Sequence, residues 1–255
     1  MSIKFVANDV WAEAVDLRTT DELDAETTDN DKIQNVTTGR RDLHWTQTGT
    51  DARRVVYINK SGGMSYDTCI LQDADNHNTH SVKIIDWTTY TGSSTTQFTT
   101  SNFAETLIGR DSTDWAYDVG SQTSLQAVGI EFDDGSGGAY TKTIPKLYFG
   151  NAVEITNPPR IERELLPKYS TIMIGHQAYP VVEQITMEFD YLTDALAESI
   201  DELYMAHKEP IFVWDANANS IREKLLHVII EARNIRKVYN NHNELRLSLG
   251  VLEHY

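Results

Sequence analysis

Cysteine is almost absent: Cys69 is the only one in 255 residues, which excludes an internal disulfide. It sits in the apolar run "CIL", the setting of a small buried core residue rather than a nucleophile. Basic side chains are also scarce. Lys and Arg number 22 against 38 Asp and Glu, giving a formal net charge of -16. A surface of that sign repels phosphate and argues against a nucleic-acid partner. Apolar runs are short, and none approaches the roughly 18 residues of a membrane helix. The N-terminal "MSIKFVANDVW" has neither an apolar signal core nor a small-residue cleavage site. The expectation is synthesis in the cytosol, with no membrane insertion. Catalytic templates are missing too: there is no G-x-S-x-G elbow, P-loop, H-E-x-x-H helix or dinucleotide fingerprint. The expectation is a protein that is not an enzyme and needs no cofactor.

What is present fits an ordinary folded chain, with 40% hydrophobic and 24% charged residues. The length is comfortable for two domains. Texture changes near "EITNPPRIERELL", where Pro158 and Pro159 stiffen an extended connection and disfavour helix before them. This predicts one domain over residues 1–155 and a second over 156–255. The first part is the more acidic, with 12 basic and 23 acidic side chains against 10 and 15 in the second. Its densest acidic stretch, "DELDAETTDND", reads as a solvated loop.

Residues 1–155 read as short strands separated by Gly- and Asp-rich turns. "RRVVYIN" alternates, with Val55 and Tyr57 on one face and Val56 and Ile58 on the other. "DTCILQD" is a short apolar burst of the kind a sandwich interior takes, and "SVKIIDW", "LQAVGIEFDD" and "TIPKLYFG" follow. The pattern predicts an all-β sandwich. The second part is mixed. "LTDALAESIDELYMAHKEP" predicts an amphipathic helix near residues 193–208, with Thr193 as N-cap and Asp194 at the positive end. Leu196, Ile200, Leu203 and Tyr204 share its apolar face, and Pro210 follows its end. "SIREKLLHVIIEARNIRKV" fits a helix stripe or a strand face. The strand is preferred, because Leu245, Leu247 and Leu249 in the next segment alternate as a hairpin arm that needs a neighbour.

"DADNHNTH", residues 73–80, is the most site-like loop. Asp73 and Asp75 match the start of a calcium loop, but Asn78 occupies the glycine position and Ile84 the distal acid position. His77 and His80 lack a third zinc ligand nearby. Asn, Asp and His are also turn formers, so the loop is read as a turn and no metal site is assigned. Aromatic rings flanked by Asp and Asn suit stacking and hydrogen bonding to sugars. Trp87 and Tyr90, with Asn76 and His77, are the candidate glycan-binding residues; Trp115 and Tyr117 form a second aromatic pair. The alternative for these rings is that they cover the ends of the sandwich.

The order "DLHWTQTGTDARRVVYIN", "YDTCILQDADNHN", "VKII" and "AVGIEFDDGSGGAYTKTIPKLYFGNAVEI" resembles the galactose-binding-like (discoidin) jelly roll over roughly residues 10–155, closing on Tyr140, Ile144, Leu147 and Gly150. The segment "ITMEFDYLTDALAESIDELYMAHKEPIFVWD" with the "NELRLSLGVLE" arm resembles the hub domain of phage distal tail and baseplate proteins. The order departs from the commonest hub arrangement, because the sandwich comes before most of the hub; "IKFVANDVW" is a candidate further hub strand. These resemblances imply a mainly β chain, a sandwich followed by a smaller β-rich hub with one helix. They also imply a structural virion protein of a tail tip or baseplate. It would form a homo-oligomeric ring and join the tube to other tail proteins and to host-recognition parts. The alternative is a carbohydrate-binding module that attaches to host surface glycans.

Overall fold

A computed structural model describes residues 2–7, 9–20, 33–37, 45–49, 53–71, 81–99, 115–133, 140–144, 147–157, 159–166, 170–174, 177–206, 211–215, 225–239 and 242–252. The protein is mainly β. It divides into two compact units, Asn8–Asn151 and a second made of Met1–Ala7 with Ala152–Tyr255. The expected boundary at residue 156 therefore falls four residues too late, and the first seven residues group with the C-terminal unit rather than with the sandwich. The reason is a long-range pairing. Strand β1 (Ile3–Val6) lies between β12 (Val153–Ile155) and β16 (Ile211–Asp215), antiparallel to both. The sandwich is an insertion whose two ends leave from neighbouring strands, the arrangement in which a folded insert is best tolerated.

The inserted unit opens with a short helix α1 (Asp9–Glu13). A five-stranded sheet runs in the order β2 (Asp16–Thr20), β4 (Arg53–Ile58), β9 (Ala127–Asp133), β6 (Ser81–Thr89), β7 (Ser93–Phe98). A three-stranded sheet runs β11 (Leu147–Gly150), β5 (Met64–Leu71), β8 (Trp115–Leu125), and a two-stranded ribbon joins β10 (Tyr140–Ile144) to β3 (Trp45–Gly49). Alternation along each strand sends one set of side chains inward. Val55, Tyr57, Ile84 and Ile130 of the larger sheet join Met64, Tyr66, Cys69 and Phe149 of the smaller in one core. The Phe149 ring meets Tyr57 and Tyr66 edge-on, with centroids 5.8 and 5.2 Å apart. Tyr57 Oη donates to the Leu147 carbonyl at 3.1 Å, so this buried hydroxyl is satisfied. Burying each such side chain contributes about 1.5–3 kcal/mol.

One feature of β4 differs from a sheet with a wet outer side. Val56 and Ile58, on the face opposite Val55 and Tyr57, are also sealed, in a second cluster with Ile85, Trp87, Tyr90 and Ala127. The middle of the larger sheet is thus buried on both faces, which is why Val55 to Ile58 are apolar at every position. Gly129 makes this close packing possible: a Cβ there would meet the Val55 carbonyl oxygen at 2.8 Å and Trp87 Cζ3 at 3.3 Å.

The second unit is built on a sheet in the order β12, β1, β16, β17 (Leu225–Tyr239), β18 (His242–Leu252), β15 (Gln177–Thr193), β13 (Arg160–Leu165), with β14 (Thr171–Ile174) paired to β15. The ambiguous segment is a strand where it is described, since β17 pairs with β16 on one side and β18 on the other. Residues 221–224 lie outside the described residues. Ile185, Met187 and Phe189 face the same core as Leu245, Leu247 and Leu249. The predicted helix is α2 (Asp194–Ala206), capped by Thr193, whose Oγ1 accepts from the Leu196 N–H at 3.3 Å. It buries Ala197, Ile200 and Leu203. Arg233 of β17 ties it to the sheet, pairing with Asp201 and placing its guanidinium 4.7 Å from the Tyr204 ring centroid.

Candidate functional site

Three turns of the sandwich are fastened together by one glutamine. They are the β4–β5 turn (residues 59–63), the β6–β7 turn (residues 90–92) and the β8–β9 junction at Gln126. The Gln126 N–H donates to the Trp87 carbonyl and its own carbonyl accepts from the Asn59 N–H, both at 2.8 Å. Its side-chain Oε1 accepts from the Tyr90 N–H at 3.0 Å. Asn59 then closes its own turn: its Oδ1 accepts from the Ser61 N–H at 3.1 Å, and its carbonyl from the Gly62 N–H at 2.8 Å. Asn59 Nδ2 also donates to the Glu13 carbonyl at 3.0 Å. Thr91 and Ser124 hold left-handed backbone at φ 77° and 59°, a conformation that a side chain adopts only where its surroundings hold it. The sequence explains the turns through "SGG" and "YTG". The linking role of Gln126 carries no sequence signal, because it is a property of long-range contacts.

The floor of this end is aromatic. Trp87 and Tyr90 meet edge-on, with centroids 5.8 Å apart. Arg54 lies over the Trp87 ring at 5.8 Å and Lys60 over the Tyr90 ring at 5.9 Å. Arg54 is held by Glu131, which is 3% exposed. Its Oε2 accepts from Arg54 Nε at 2.7 Å and its Oε1 from Lys83 Nζ at 2.5 Å. One buried carboxylate thus serves two cations, each bonded to a different oxygen, which satisfies the group that would otherwise cost most to bury. The rim is polar: Lys60, Ser61, Thr88, Thr89, Thr91 and Ser124 are exposed.

Of the four sequence-predicted residues, the structure describes two, Trp87 and Tyr90, and brings them together. Trp87 is 2% and Tyr90 9% exposed, so these rings pack as a floor and do not present an open stacking face. Asn76 and His77 lie outside the described residues, as do Asp73 and Asp75. Trp115 is a core residue, fully buried, with Tyr117 packed against that core. Among the described residues, no three His, Cys, Asp or Glu side chains are placed to share a metal ion, and no helix is long and apolar enough to cross a membrane.

Three groups enclosed in the sandwich have displaced protonation equilibria. Asp86 is 4% exposed; burial raises its pKa, partly countered by Gln97, whose Nε2 donates to both carboxylate oxygens at 3.3 and 3.1 Å. Burial also pushes up the Cys69 thiol and the Tyr66 hydroxyl, the latter raised further by the nearby Asp86. Tyr66 Oη is buried and makes no hydrogen bond among the described residues. These groups are enclosed by the two sheets, so they bear on stability rather than on a substrate.

No family model and no curated protein matches the chain. Solved structures do show likeness. One is chitosan-binding module 1 of a chitosanase/glucanase from Paenibacillus sp. IK-5 (11% identity, 56% of this chain and 98% of that one, TM-score 0.39). Another is the CBM32 of AlyQ in complex with 4,5-unsaturated mannuronic acid (12%, 53% and 94%, 0.37). A third is CBM32-1 from a family 31 glycoside hydrolase of Clostridium perfringens (10%, 56% and 99%, 0.32). At these scores the likeness assigns neither family nor ligand; the β-sandwich itself rests on the sheets and core described above.

Proposed function

We propose that this chain is a non-catalytic binding protein that recognises carbohydrate through the turn end of its sandwich, with the second unit as its carrier. The observation that supports this reading is the Gln126 link. It joins three turns into one framework that presents hydroxyls and an ammonium above an aromatic floor. Saccharides are recognised by hydrogen bonds from fixed positions, and a preorganised rim loses little freedom on binding. The insertion also suits the role, since a module that enters and leaves through adjacent strands is carried without interrupting its host sheet. A glycan array probed with the full chain tests it. Binding that weakens in Lys60→Ala and Thr88→Ala, with folding intact, is the expected result.

A second reading makes the chain a structural subunit of a phage tail tip or baseplate, present in the virion, docked to other tail proteins and ringed with its own copies. The pairing of β1 into the C-terminal sheet supports it, because the hub resemblance offers that segment as a further hub strand. Among the described residues, β12 and β13 stand at the edges of that sheet, and edges are where further strands add. Rings need heterologous contacts between identical chains. Sedimentation velocity at rising concentration, with negative-stain imaging, distinguishes a closed ring from a monomer.

A further inference from the structure

The turn end of the sandwich has a charge pattern unlike the rest of the chain. Asp and Glu number 38, yet none occurs in residues 52–66, 87–104 or 119–130. These segments supply the three turns that Gln126 ties together. Their charged residues are Arg53, Arg54 and Lys60, all basic. Turn chemistry does not require this, since Asp serves in turns as readily as Asn, and the chain uses it so in "DDGSGG". Elsewhere the surface repels anions, but salt limits that repulsion to charges within about 8–10 Å. A ligand anion at this end is therefore governed by the few charges beside it.

Lys60 is the cation that faces solvent there. It is exposed, and its Nζ stands 5.9 Å from the Tyr90 ring centroid. Among the described residues its ammonium forms no ion pair. Two acids border the end. Glu13 meets it through its main-chain carbonyl, which accepts from Asn59 Nδ2 at 3.0 Å. Asp16 lies opposite Ile58 on β2 and is paired with Arg18. Under the floor, Glu131 is already shared by Arg54 and Lys83. The amide acceptors are engaged as well: Asn59 Oδ1 and Gln126 Oε1 accept from the Ser61 and Tyr90 N–H groups. Beside Lys60, the exposed polar side chains of these turns are the hydroxyls of Ser61, Thr89 and Thr91. An ammonium donates and never accepts, and a hydroxyl can turn to donate. That set matches a group rich in lone pairs and carrying negative charge.

We propose that the turn end takes an acidic saccharide, with Lys60 pairing its carboxylate or sulfate ester and the Ser61, Thr89 and Thr91 hydroxyls bonding its other oxygens. This inference rests on the carbohydrate reading of the sandwich and names the ligand class for it. The test begins with a glycan array that sets each uronate- or sulfate-bearing glycan beside its neutral counterpart, probed with the full chain. The acidic members should bind, and the two arms tell carboxylate from sulfate. Calorimetric titration with the strongest acidic binder follows. Lys60→Met keeps the stem over Tyr90 and removes the charge; affinity should fall about tenfold. Lys60→Arg should retain it. Raising NaCl from about 50 to about 500 mM should weaken wild-type binding several-fold and change Lys60→Met little. Lys237→Met, an equal loss of charge in the second unit, should leave affinity unchanged. Lys60→Arg as weak as Lys60→Met, or Lys237→Met as weak as Lys60→Met, overturns the acidic class. Binding confined to the neutral members, and weakened by Thr88→Ala, also overturns it while the carbohydrate reading stands. No binding to any glycan overturns both.

Discussion

The two units bury apolar residues by the same strand alternation but complete their cores differently. The sandwich closes one sheet over another, so its core is aromatic and interlocked, with Phe149 between Tyr57 and Tyr66. The second unit covers a broad sheet with the helix α2, and its core is dominated by aliphatic rows such as Leu245, Leu247 and Leu249. Both units bury a carboxylate against an arginine, Glu131 in the sandwich and Glu183 in the second unit. Glu131 of the sandwich is sealed with two cations. In the second unit the Arg163 guanidinium meets Glu183 through two bonds of 2.6 Å, and Gln184 links Glu231 to Ser248 at 2.8 and 3.0 Å. A closed sandwich leaves its ends as its adaptable surfaces, and one of those ends is stiffened by Gln126. In an open sheet, the places to present a side chain are bulges and edges, and Tyr191 occupies the bulge of β15.

Mutations can break that comparison, beginning with the largest effect. Phe149→Ala removes the ring shared by two tyrosines and should destabilise the sandwich by about 3–5 kcal/mol. Denaturant unfolding should show the loss in one transition while the melting of the second unit holds; a joint shift of equal size would mean that the units unfold as one. Gly129→Ala should cost about 1–3 kcal/mol by forcing Trp87 and the Val55 carbonyl apart, seen as a lower midpoint at unchanged m-value. Thr193→Ala removes the α2 cap and should cost about 1 kcal/mol, confined to the second unit in hydrogen exchange.

The smallest effect is a pH dependence. Burial raises the folded-state pKa of Asp86. Ionisation is therefore harder in the folded chain, and the folded state is favoured below the unfolded pKa. That advantage fades as pH rises through the folded value. Asp86→Asn should consequently stabilise the sandwich at neutral pH and make no difference once the wild-type carboxyl is protonated in both states. Thermal melts at several pH values check the sign. Glu231, also raised by burial, should show the same direction in the second unit.

The sequence made the local features readable. Val55 and Tyr57, Leu245 to Leu249, and the α2 face all follow from periodicity, and Cys69 is the core residue its neighbours imply. Two features depend on partners far away in the chain. The pairing of Ile3 with Ile155 and Asp215 is set by partners far along the chain: the domain boundary alone puts the N-terminal strand with the sandwich, and only the hub resemblance offers "IKFVANDVW" as a strand of the second unit. The side-chain chemistry of Trp87 suits sugar stacking, but Arg54 and Gly129 from other strands, with Tyr90 three residues on, surround the ring and bury it. Gln126 and Tyr191 escaped notice for the same reason, since a linking hydrogen bond and a bulge are both consequences of register.

Calorimetric titration of the full chain and of Gln126→Ala with the best ligand from the glycan array tests the central claim most directly. The wild type should bind, and the variant, folded by circular dichroism, should bind roughly tenfold more weakly, the equivalent of one lost hydrogen-bonded tie. A folded wild-type chain that binds no glycan, or a Gln126→Ala variant with undiminished affinity, would contradict it.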